Sequence, residues 1–146
     1  MRSGCFALLV ALLCVTEQFH NAEGRKMEIA EVRDAVKNLK KVCIEHSGVS
    51  PAIVEQSLVA TEYPNDRKLQ CYNKCILTMI KGMKENKLRE KVMLNHADLM
   101  LVDSVAPQVK DMITKCVQQA TSTDDCEVAW QFTKCFYEQA RDLVFF

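Results

Sequence analysis

The sequence is poor in the features a sheet protein or an enzyme needs. Glycine occurs four times and proline three times in 146 residues. No Asn-Gly turn is present and apolar residues nowhere alternate with polar ones as in a half-buried strand, so the periodicity predicts an all-helical chain. An excess of charge of one sign is also missing. With 19 basic against 19 acidic residues, there is no basic face for nucleic acid and no strong electrostatic steering. Histidine is limited to His20, His46 and His96. Spacings such as His-x3-His or Cys-x2-Cys, which bring metal ligands together, do not occur, so no metal and no cofactor is expected. Isolated glycines build no phosphate-cradling loop. The reading is of a binding protein rather than an enzyme.

Long hydrophobic runs are nearly absent as well. The one candidate, Cys5 to Val15, is too short for a bilayer span of ~17–25 residues. Arg2 precedes it, and the small residues Ala22 and Gly24 follow at the spacing of a cleavage site. This is the pattern of a secretory signal peptide, which predicts a leader over residues 1–24 and a single secreted domain over 25–146. Taking Arg2 from the 19 basic residues, and Glu17 and Glu23 from the 19 acidic ones, leaves 18 against 17. Cys5 and Cys14 leave too, and six of eight cysteines remain. An even number in an oxidising compartment predicts three disulfides.

What is present is a set of amphipathic segments. They predict six helices, over about 27–46, 51–60, 66–82, 87–102, 104–120 and 125–140, with Gly48 ending the first, Pro51 opening the second and Asp66 capping the third. The third helix organises the rest. Cys71 and Cys75 lie four residues apart on one face with parallel Cβ vectors, so a bond between them is strained and each suits a different segment. On the last helix Cys126 and Cys135 face opposite sides, which places that helix between two partners. Fifteen pairings exist for six cysteines, and geometry disfavours only the local ones.

The intervals between Cys43, Cys71, Cys75, Cys116, Cys126 and Cys135 are 27, three, 40, nine and eight residues. With the leader, the paired cysteines of the third helix and the eight-residue last interval, the whole predicted domain resembles the six-cysteine insect odorant-binding proteins, which include pheromone-binding proteins. The resemblance implies the pairing Cys43–Cys75, Cys71–Cys126 and Cys116–Cys135. It also implies a six-helix bundle around an internal apolar cavity, and a carrier of small hydrophobic ligands, odorants or pheromones, in extracellular fluid. A non-sensory secreted carrier of lipids or semiochemicals fits the same residues, as does a helical signalling protein acting through its surface.

Under that reading the helical arcs nominate Ile76, Met79, Met83, Val92, His96, Leu99, Val109, Met112, Ile113, Phe132 and Phe136 as ligand contacts, each of which could equally be plain core. Methionine suits an adaptable wall. Trp130 and Tyr137 share the Cys126 side, where packing outweighs ligand contact. His96 is the one polar group on an apolar face. It is either a histidine bonded to backbone or a group that bonds a ligand oxygen and titrates near neutral pH. Only eleven residues follow Cys135, and the apolar end Leu143, Val144, Phe145 and Phe146 is expected to fold over the cavity, Val144 and Phe145 touching ligand, with Asp142 and the terminal carboxylate as acid-sensitive latches. The basic stretch Lys81–Lys91 reads first as solvated, then as a contact for an olfactory receptor or membrane surface. The expected state is a monomer or weak homodimer.

Overall fold

The structure, a computed structural model, describes residues 24–145. The expected leader over 1–24 therefore lies almost wholly outside the described residues, as does Phe146. Among the described residues there are seven α-helices: α1 (Ile29–Ala35), α2 (Lys37–Ser47), α3 (Pro51–Ser57), α4 (Arg67–Met79), α5 (Glu90–Met100), α6 (Ala106–Gln119) and α7 (Asp125–Ala140). A 3-10 turn, Arg141–Leu143, leads into the tail.

Two features differ from the sequence reading. The first predicted helix is two, because the backbone breaks at Val36 (φ −89°, ψ 1°), which ends α1 and starts α2. The chain also contains a short antiparallel hairpin, β1 (Met83–Lys84) and β2 (Lys87–Leu88). Its two turn residues, Glu85 and Asn86, both have positive φ (51° and 62°), the signature of a tight turn that matches strand twist. Asn86 is of a type that enters this region readily, but Glu85 is not, and without glycine the pair does not read as a turn.

The helix ends follow their residues. The Asp66 carboxylate accepts from Leu69 N at 2.9 Å and starts α4; Asp124 accepts from Glu127 N at 2.8 Å and starts α7. Gly48 takes the left-handed conformation (φ 67°) that closes α2.

Helix α7 is the axis of the molecule, packed chiefly against α4 and α6. Its two cysteines face opposite sides and hold both neighbours: Cys71–Cys126 ties it to α4 and Cys116–Cys135 to α6. Cys43–Cys75 joins α2 to α4 one turn further along. All three bonds are those the resemblance implied. At the α4–α7 join, the guanidinium of Arg67 grips both oxygens of Asp124 at 2.6 and 3.0 Å, and Lys74 pairs with Asp125. The Trp130–Tyr137 side of α7 seals the loop before α4. Trp130 Nε1 donates to the Pro64 carbonyl at 2.7 Å, Tyr137 donates to the Ala60 carbonyl, and Tyr63 donates to Asn73 Oδ1 at 3.1 Å. No helix among the described residues is long and apolar enough to cross a membrane.

Candidate functional site

The remaining face of α7 borders a cavity of about 260 Å³. Phe132 and Phe136, one helical turn apart with ring centroids at 5.7 Å, form its buried floor with Thr133. Val109 and Ile113 of α6 close one side, and Leu77 and Ile80 at the end of α4 another. Helix α5 contributes Met93, His96, Ala97 and Met100, followed by Leu101; Val32 and Val36 come from the α1–α2 break. The tail completes the wall with Leu143, Val144 and Phe145.

Seven of the nominated side chains thus meet at one cavity: His96, Val109, Ile113, Phe132, Phe136, Val144 and Phe145. Six lie outside its wall. Ile76 is fully buried in the core and Met83 is buried in the hairpin, while Val92 and Met112 are half-buried. Met79 is 47% exposed, with its sulfur 3.6 Å from Cys43 Sγ, and Leu99 is 72% exposed.

The physical reason is helix rotation. On α4 the cavity receives Leu77 and Ile80, one position round from Ile76 and Met79. On α5 the inward stripe is Met93, His96, Ala97, Met100 and Leu101, spaced i, i+3, i+4, i+7 and i+8. That spacing is visible in the sequence. It is obscured by Leu88, which belongs to the hairpin, and by Leu99, a large apolar residue that faces water while small Ala97 faces in.

Gly82 contributes by lacking a side chain. A Cβ there would stand 3.1 Å from both Cγ and Sδ of Met93, so the glycine lets the turn after α4 close against a cavity residue.

The tail is held from outside. Arg33, on the exposed side of α1, donates through Nε to the Val144 carbonyl at 3.1 Å and through a terminal nitrogen to the Asp142 carbonyl at 2.6 Å. At Asp142, the residue expected as an acid-sensitive latch, the bond from Arg33 goes to the main-chain oxygen, and main-chain carbonyls do not titrate. The terminal carboxylate, on Phe146, lies outside the described residues.

Polar chemistry in the wall is sparse. Thr133 Oγ1 donates to the Ala129 carbonyl at 2.9 Å. His96 is half-buried, and among the described residues its ring has no hydrogen-bond partner, so the backbone-bonded alternative does not apply. Asp124, Asp125 and Cys126 bring three metal-type ligand atoms together, but Cys126 is in a disulfide and the carboxylates are taken by Arg67 and Lys74. The Arg67 bond holds the Asp124 carboxyl at about 2, below its ordinary range.

Comparison with known proteins agrees with this architecture. Residues 25–139 match the PBP/GOBP family model. General odorant-binding protein 19d of Drosophila melanogaster is 28% identical over 143 residues, covering 92% of this chain and 88% of the relative. Among solved structures, odorant binding protein 5 of Apis mellifera superposes with a TM-score of 0.73 at 23% identity, covering 84% of this chain and 98% of that one. Odorant Binding Protein 4 of the predator Chrysopa pallens gives 0.71 at 24% identity, covering 82% and 98%. With its three bridges, helical bundle and apolar chamber, the chain belongs to the PBP/GOBP family, the insect odorant-binding proteins.

Proposed function

We propose that this protein is a secreted carrier that takes up an odorant or pheromone in its internal cavity and moves it through aqueous extracellular fluid. The carrying observation is the chamber itself: a volume of about 260 Å³ whose wall, among the described residues, has two polar side chains, Thr133 and His96. Such a space favours apolar molecules that water rejects. Residues 1–24 would direct export and 25–146 would form the working domain. Ligand contact would fall to His96, Val109, Ile113, Phe132, Phe136, Val144 and Phe145, with Met93, Ala97 and Leu77 added by the geometry. Membership of a family of small-ligand carriers supports the same reading.

A fluorescent apolar probe tests it. The expected result is saturable one-site binding, micromolar or tighter, reversed by competing volatile alcohols. Ile113→Trp, which fills the chamber, should weaken it at least tenfold while the helical circular dichroism is kept. Binding that is unsaturable, or unaffected by filling the chamber, would contradict the proposal.

A further inference from the structure

We infer that the cavity selects neutral ligands of roughly 10 to 13 non-hydrogen atoms, at the packing density of protein interiors, that carry one hydrogen-bonding group, and that it rejects the corresponding carboxylates. The inference rests on the carrier reading and narrows it to a ligand class.

Few groups in the cavity could answer a polar group of the ligand. Among the described residues the wall contains no lysine, arginine, asparagine or glutamine. Thr133 spends its proton on the Ala129 carbonyl. Arg33, a cation near the tail, is on its outer side, its guanidinium engaged by the carbonyls of Asp142 and Val144. Other buried polar atoms without partners, Tyr72 Oη and Asn73 Nδ2, belong to residues that are not in the cavity wall. What remains as a donor is the His96 imidazole, half-buried and unbonded, which can donate from one ring nitrogen or accept at the other, whereas Thr133 Oγ1 is left only to accept. A hydroxyl, aldehyde, ketone or ester is satisfied there while its chain lies against Phe132, Phe136 and Ile113. A carboxylate is not. Burying its charge without a cation or several donors is far costlier than burying a neutral group with one bond.

A matched ten-carbon series decides it: decan-1-ol, decan-2-one, decane and decanoate, each competing with a fluorescent apolar probe at pH 8, where decanoate is ionised. The alcohol and ketone should bind within about fivefold of each other, and decanoate at least ~30-fold more weakly than decan-1-ol. His96→Leu should lower the alcohol-to-alkane affinity ratio about three- to tenfold, the worth of one neutral hydrogen bond, and His96→Gln should restore most of it. Decanoate binding within tenfold of decan-1-ol would overturn the inference, as would a ratio unmoved by His96→Leu in a variant with native circular dichroism. Tight decanoate binding would still leave the carrier reading standing, whereas failure of the probe and all four compounds to bind would remove both.

Discussion

At the residue scale, a few polar groups act at a distance from the ligand space. Arg33 is the clearest, because two bonds from one guanidinium fix a tail that supplies three wall residues. Arg33→Met keeps the apolar stem and removes the bonds. Hydrogen bonds from a charged donor are worth ~1.5–3 kcal/mol each, so ligand dissociation measured by stopped-flow should accelerate roughly tenfold even if part of the tail's packing survives. Because the acceptors are carbonyls, the factor should be the same at pH 5.5 and pH 7.5. An effect confined to one of those pH values would show that a titrating group, not Arg33, controls the tail.

Asp124 belongs to the same scale and does titrate. Arg67 holds it at about 2, against ~3.9 for an unperturbed aspartate. Its contribution to stability is therefore complete above about pH 4 and is lost as pH falls towards 2. Asp124→Asn should be less stable than the parent at pH 5, and the gap measured by urea unfolding should close between pH 4 and pH 2. A gap that stays constant from pH 5 to pH 2 would show that the charge of Asp124 is not what stabilises the protein.

At the element scale, the hairpin between α4 and α5 is the least favourable piece of backbone. Glu85 and Asn86 both sit at positive φ, a region that costs ordinary L-residues free energy. Replacing the pair with Asn-Gly, which prefers that turn, should stabilise the protein by about 0.5–1 kcal/mol in urea unfolding and leave probe affinity unchanged. A loss of stability would mean that Glu85 makes a contribution its exposure conceals.

The elements also show what could be read from residues alone. Helix α7 was legible end to end, because Asp124 caps it and the cysteines at 126 and 135 demand neighbours on both sides. The hairpin was not, since its turn residues are chosen against local preference. Nor were the inward faces of α4 and α5. A hydrophobic arc gives the direction of the core to within about one residue, or 100°, and Leu77 replaces Ile76 within that error. The exposure of Leu99 and inward position of Ala97 follow from tertiary packing, which no local pattern encodes. Phe132 and Phe136 were legible because the polar arc of α7 lies opposite them.

At the scale of the whole molecule, the chamber and the bridges belong together. An unfilled cavity costs ~24 cal/mol per Å³, and for about 260 Å³ that is about 6 kcal/mol. Bridges spanning 32, 55 and 19 residues each return ~3–4 kcal/mol by restricting the unfolded chain. Two of them offset the void, and ligand binding adds stability by mass action. The cross-links therefore allow the helices to stand around a space that unaided packing would close.

The most direct measurement is a crystal structure of the protein grown with decan-1-ol. The alkyl chain should be enclosed between Phe132, Phe136 and Ile113, with the hydroxyl within hydrogen-bonding distance of a His96 ring nitrogen and the tail still held by Arg33. An alcohol found only on the surface, with wall side chains filling the space beside α7, would contradict it.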